Sequence, residues 1–150
     1  EPSTGEGVMV TGGYFPTLGV QPALGRLIGP ADNEPGSDNM VTVISHRFWR
    51  DRFGGRPDAL GRILRANGRS FTIIGVAPAS FTGMNRYVRY DFFIPLMMSP
   101  RVIADSKAAS LEARDVRNLT LKGRLKPGVS QAQAQSELTT IAGDLERAYP

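Results

Sequence analysis

The chain has 150 residues, no cysteine and a formal net charge of +4, with 41% hydrophobic and 21% charged residues, an ordinary globular balance that indicates neither disorder nor a charged tail. A domain of this length buries roughly 70% of the surface its unfolded chain exposes, so one sizeable core is expected. Without cysteine there is no disulfide framework, thiolate nucleophile or cysteine zinc site, and the longest apolar run, Phe92 to Met98 with Pro95 inside it, is far short of the roughly 20 residues that span a bilayer.

The opening at Glu1, with neither an initiator methionine nor a basic, apolar leader, reads as an excision from something longer. Val8-Met9-Val10 is the first β-type run, stopped by Gly12-Gly13. Tyr14 to Arg26 reads as a short turn of helix followed by a connection punctuated by Gly19, Pro22 and Gly25. Pro30 to Asn39 holds almost nothing suited to a core and is expected to be a surface loop feeding a buried strand, Met40 to Ile44. Ser45 offers an N-cap hydroxyl to a helix over His46 to Phe53, with Phe48, Trp49 and Phe53 facing inward and Gly54-Gly55 ending it.

Gly61 to Val76 contains two β-rich runs joined by Asn67-Gly68, the pair a type I′ turn prefers because both central residues take positive φ. A two-residue turn pairs Ala66 with Arg69, which sets Leu64 opposite Phe71 and Ile63 opposite Thr72. Asp91 to Leu96 reads as a short strand, Ser99 to Asp115 as a polar segment with one helical turn, and Asn118 to Leu125 as a strand with Leu119, Leu121, Gly123 and Leu125 on one face. After the turn at Lys126-Pro127-Gly128, Ser130 and Gln133 form a capping box. Leu138, Ile141, Ala142, Leu145 and Tyr149 follow on one helical face, and Pro150 marks the end. The fold class expected from this order is α+β.

The residue types leave little room for catalysis, and no catalytic, cofactor or metal residue is assigned. His46 is the only histidine, so a Ser-His-Asp arrangement or a histidine metal cluster has one imidazole to build on; just after an N-cap it reads as a surface residue. Asp32, Glu34, Asp38 and Asn39 carry oxygen ligands, yet their spacing misses the calcium loop and Pro35 stiffens its middle. Neither of the glycine-rich phosphate motifs occurs, so the glycines read as turn chemistry. Arg47, Arg50, Arg52, Arg56, Arg62, Arg65 and Arg69 crowd the helix and hairpin near Phe48 and Trp49, a possible nucleic-acid platform, but Asp51 and Asp58 interrupt the charge and a solvated face explains it more simply. Phe81, Met84, Tyr87, Val88 and Tyr90 make an unusually aromatic loop that either covers the core or offers an apolar contact to a partner. Phe81, Met84, Tyr87 and Tyr90 are the partner-contact candidates.

Taken in order, these segments resemble the MacB-like periplasmic core domain of ABC transporter permeases, of the macrolide-exporter and lipoprotein-release type with FtsX-like repeats. The resemblance rests on Val10-Thr11-Gly12-Gly13-Tyr14-Phe15, Leu18-Gly19-Val20 with Pro22 and Leu24-Gly25-Arg26, and Val43-Ile44-Ser45 with Phe48-Trp49 and Phe53-Gly54-Gly55. It continues through Gly61-Arg62, Asn67-Gly68, Thr72 to Val76 with Pro78, Asp91 with Pro95-Leu96, and Gly123 to Val129 before Gln131-Ala132. Gly13 stands where the family commonly has asparagine, and Phe93 where it commonly has tryptophan.

The resemblance implies an extracytoplasmic domain of a cytoplasmic-membrane protein, set between its first and second transmembrane helices. It implies a porter-like α/β part, about 1–39 and 90–150 and N-terminally incomplete, with an inserted β-rich part at about 40–89. It further implies a mechanical and binding role with no enzymatic activity and no cofactor. The implied partners are a cytoplasmic ATPase subunit or domain, a second permease half and a periplasmic adaptor, with no nucleic acid. The rival readings are a stand-alone extracytoplasmic ligand- or protein-binding module and, on the pI of 9.9, a nucleic-acid-binding domain.

Overall fold

A computed structural model describes residues 5–85, 87–113 and 116–149 of the chain. Residues Glu1–Leu119 form one compact unit and Thr120–Pro150 a second. The first is built on a mixed sheet of β1 (Gly7–Val10), β2 (Leu24–Gly25), β3 (Val41–Ile44), β4 (Ile63–Ala66), β5 (Arg69–Val76) and β6 (Phe92–Pro95). Its order is β1-β6-β3-β5-β2, with β4 also on β5. The β1–β6 and β3–β5 pairs are parallel, whereas β3–β6, β2–β5 and β4–β5 are antiparallel. With helices beside this sheet, the class is the α+β expected.

The β4–β5 hairpin has the register dictated by its turn. Asn67 and Gly68 take φ of 47° and 74°, as a type I′ turn requires, and Ala66, Leu64 and Ile63 lie opposite Arg69, Phe71 and Thr72. The tip is tied down: the Asn67 side-chain amide donates to the Val102 carbonyl at 3.4 Å and Arg69 Nε to the Arg101 carbonyl at 3.0 Å. Those carbonyls belong to α3 (Ser99–Val102), which is followed by α4 (Ser106–Ala109).

The sheet is buried on both faces because its strands alternate between two apolar layers. On one side Val10, Val43 and Phe93 pack with Phe15, Ile28 and Ala77; Phe15 comes from α1 (Tyr14–Leu18). On the other, Ile44, Ile73 and Val76 meet Phe48, Trp49 and Phe53 of α2 (His46–Phe53), while Phe71 and Ile94 meet Met98 and Val102. Thr42, fully buried in β3, donates through Oγ1 to the Phe93 carbonyl at 2.9 Å and so adds a side-chain link to the β3–β6 pair. Ser45 caps α2 by accepting from the Phe48 amide at 3.2 Å, and Gly54, in the left-handed conformation, closes it.

Gly75 has a steric task. Between Thr42 and Val43 the β3–β5 register shifts, and Arg26 crosses so close to β5 that a Cβ on Gly75 would lie 1.9 Å from its carbonyl oxygen. Only glycine admits that approach.

Three expectations need correction. Pro30 to Asn39 is not merely a polar surface loop: Pro30–Asn33 is a 3-10 turn with Asp32 only 5% exposed. Arg26 donates to both Asp32 carboxylate oxygens at 2.6 and 2.8 Å and the Gly29 amide to one of them at 2.9 Å, so the buried charge is paired and hydrogen-bonded. Asn33 Oδ1 accepts from the Met97 amide at 3.1 Å, which fastens the same turn to the residues after β6. The second correction concerns 118–125, which belong to no strand; Leu119, Leu121 and Leu125 are exposed. Alternation makes a strand only where a neighbouring edge pairs with it, and among the described residues no strand pairs with 118–125. The Ser99 to Asp115 segment carries two short helices, α3 and α4, rather than one helical turn; Asp115 lies outside the described residues.

The second unit is α5 (Gln131–Ala148) with its lead-in. The expected capping box is complete: Ser130 Oγ accepts from the Gln133 amide at 3.2 Å, and the Gln133 side chain accepts from the Ser130 amide at 2.8 Å. Leu138, Ile141, Leu145 and Tyr149 lie at helical spacing and are all about half exposed. The expected terminator, Pro150, lies outside the described residues.

Candidate functional site

The aromatic loop after β5 divides into an anchored base and an outward tip. Phe81 packs on Phe15 and Phe93 with ring centroids 5.7 and 5.8 Å apart, and Tyr90 on Phe93 at 6.2 Å. Tyr14 joins the cluster against Phe15 and Phe81 at 5.2 and 6.1 Å in edge-on geometry, the arrangement aromatic quadrupoles favour. Burial pushes the Tyr14 hydroxyl above its ordinary pKa. Met84 and Tyr87 point the other way, 43% and 95% exposed.

Two local devices shape the tip. Asn85 Oδ1 accepts from the Tyr87 amide at 2.8 Å and the Val88 amide at 3.3 Å, a side-chain turn of the kind asparagine favours. Gly83 has φ of 94°, and a Cβ there would meet the Tyr90 ring at 2.9 Å. Of the four contact candidates, Phe81 and Tyr90 therefore hold the loop to the core while Met84 and Tyr87 present it.

Two concavities flank the start of α2. One is a polar depression of about 380 Å3 over Arg47, Asp51, Arg52 and Asp91; Arg47 and Asp91 are an ion pair, and Asp91 also accepts from the Glu6 amide at 3.2 Å. The other, about 180 Å3, is lined by His46, Arg47, Phe81, Arg89 and Tyr90 among others. Sequence reasoning did not find this second cleft, because its walls come from segments more than 30 residues apart.

The remaining candidate groups are dispersed. His46 is half-buried, edge-on to Trp49 at 5.3 Å. Asp32 pairs with Arg26 and Asp38 with Arg101, so these carboxylates face different partners, and among the described residues no three histidines, cysteines or carboxylates gather round a point. Of the arginines crowding α2 and the hairpin, Arg47, Arg56 and Arg62 are paired with carboxylates and Arg69 with a carbonyl. Among the described residues no helix is long and apolar enough to cross a membrane.

The family model of the MacB-like periplasmic core domain matches residues 1–141. The chain belongs to that family. This MacB-like core domain is similar to the crystal structure of the periplasmic region of MacB from Actinobacillus actinomycetemcomitans, with a TM-score of 0.60 at 18% identity. That match covers 92% of this chain and 56% of the other. A domain assigned to a permease protein of Porphyromonas gingivalis gives a TM-score of 0.53 at 22% identity, covering 93% of this chain and 52% of that one. At these identities the likeness is one of fold, and the core domain spans about half the length of either structure. No curated protein matches the sequence.

Proposed function

We propose that this MacB-like core domain is the extracytoplasmic part of an ABC transporter permease and transmits conformational change between membrane helices and a substrate or partner protein. The observation that carries the reading is the family match over residues 1–141. The site chemistry agrees with a mechanical element: Arg26 with Asp32 and Arg47 with Asp91 form ion pairs, and Ser45 and Ser130 cap helices. In this reading ATP is hydrolysed by a cytoplasmic subunit or domain of the parent, two permease halves face each other, and a periplasmic adaptor or substrate meets the outer domain. Met84 and Tyr87 are the proposed contact residues, with Phe81 and Tyr90 holding their loop.

The two-part organisation is also a proposal. It has a porter-like part at about 1–39 and 90–150 and an inserted β-rich part at about 40–89, joined through one sheet that takes strands from both. The exposed stripe of α5 supports further chain of the parent completing the porter-like part, since apolar helix faces of this kind gain their stability from burial.

The test is a reversible lock in the intact permease. The domain has no cysteine of its own, so cysteines placed at exposed positions such as Asp51 or Arg65 are unique within it. Bridging two facing copies abolishes transport, and reduction restores it. The ATPase persists with altered coupling, since hydrolysis lies elsewhere. A bridged permease that transports normally, or an isolated domain that turns over a substrate, overturns the reading.

A further inference from the structure

The cleft between the start of α2 and the 79–90 loop has no assigned role, and its chemistry is specific. Its volume of about 180 Å3 is that of one aromatic side chain, given that a cavity of about 150 Å3 accepts benzene. One wall is apolar, made of Phe81, Tyr90 and Ala79. The Phe81 and Tyr90 rings are fixed by Phe93 at 5.8 and 6.2 Å, and Gly83 lets the loop close directly on Tyr90. This wall exists before anything binds, which lowers the ordering cost of binding.

The other wall is cationic. Arg47 and Arg89 line it and no carboxylate does. Arg47 is held by Asp91. Arg89 is exposed, and among the described residues no hydrogen bond or ion pair engages its guanidinium. A planar guanidinium beside an aromatic wall is suited to a carboxylate attached to an apolar body. Met84 and the 95% exposed Tyr87 stand on the same loop as the Phe81 and Tyr90 wall, outside the cleft itself. A small amphiphile fills the cleft and leaves those side chains uncovered, whereas a polypeptide covers all of them.

We propose that this cleft docks an acidic segment of a partner protein, seating one aromatic side chain against Phe81 and Tyr90 and pairing a neighbouring carboxylate with Arg89. The proposal rests on the reading of the 79–90 loop as a partner contact. It goes beyond that reading in fixing the partner's chemistry, an aromatic residue flanked by acids.

The experiment titrates three probes into the 15N-labelled chain: a short peptide with one phenylalanine between aspartates, the same peptide with lysines for aspartates, and decanoate. The acidic peptide shifts the resonances of residues 79–90 and His46 saturably. Its affinity falls at least tenfold in Arg89→Glu, and equally in Ala79→Trp, which fills the cleft from an exposed position. Arg65→Glu, which removes the same charge from the hairpin, leaves the affinity unchanged. The proposal is overturned if the lysine peptide binds as well, if decanoate binds more tightly than the peptide, if Arg65→Glu weakens binding as much as Arg89→Glu, or if no probe binds. Each of these failures leaves the cysteine-bridge result unaffected, because a lock at Asp51 or Arg65 does not involve the cleft; a lock that leaves transport intact counts against the mechanical reading alone.

Discussion

Replacing Gly75 with alanine isolates the cost of one methyl group at a backbone crossing. A Cβ at this position lies 1.9 Å from the Arg26 carbonyl oxygen and 2.8 Å from its carbon, and since real Cβ atoms do not come within 3.0 Å of a neighbour the chains must part by about 1.1 Å. The Arg26 amide bonds to the Ile74 carbonyl at 3.0 Å and the Ala23 amide to the Val76 carbonyl at 2.9 Å; a parting of that size breaks the first and distorts the second. One backbone hydrogen bond lost at about 1 kcal/mol net and a second weakened by up to about as much, with about 1–2 kcal/mol of overpacking strain, give a loss of about 2–4 kcal/mol. On a urea slope of about 1.5 kcal/mol/M the unfolding midpoint falls by roughly 1–3 M. The control is Gly68→Ala, where φ is 74° but nothing lies within 4 Å of the new Cβ, so only the left-handed backbone penalty of about 1 kcal/mol applies. A Gly75→Ala midpoint within about 0.3 M of the parent refutes the crossing as a steric constraint.

Gly68→Val, at the same hairpin turn, combines that backbone penalty with β-branching and lowers stability by about 1–2 kcal/mol; an unchanged melting temperature contradicts the type I′ assignment. Asp32 gives the fold a pH dependence. The hydrogen-bonded Arg26 guanidinium holds its carboxyl below the ordinary carboxylate range, so its contribution is full above the unfolded pKa of about 3.9 and is lost as pH falls through the lower folded value. Asp32→Asn costs about 1–2 kcal/mol at neutral pH, a figure discounted because the Arg26 side chain is 58% exposed, and it flattens the acid limb of a stability–pH curve; an acid limb identical to the parent's removes Asp32 as its source.

What the sequence made legible was local. Asn67-Gly68 set the whole β4–β5 register because a two-residue turn leaves one way to pair, and Ser45, Gly54, Ser130 and Gln133 marked their helix ends because caps act over three or four residues. The β1–β6 pairing joins residues 85 apart and has no signature in either strand. Asp32 read as loop composition, since nothing in Pro30 to Asn39 reveals that a guanidinium six residues upstream of Asp32 would bury it. The alternation of Leu119, Leu121 and Leu125 carried the period of a strand without the neighbour that makes one. The aromatic loop was visible as composition, but the division into Phe81 and Tyr90 below and Met84 and Tyr87 above depends on Phe93, a strand away. The cleft beside it was out of reach for the same reason.

The parallel pairing of β1 with β6 also orders events in time. Ribosomes deliver chains from the N-terminus, so Gly7 to Val10 are made well before their partners, Phe92 to Pro95. Closing a loop of that length costs about 4 kcal/mol by the logarithmic law, against less than 1 kcal/mol for the two-residue hairpin. The hairpin can therefore assemble early, while β1 pairs with β6 only once β6 has been made. Until β6 arrives β1 is an unpaired apolar edge, and any machinery that handles this chain during synthesis or export meets it in that state.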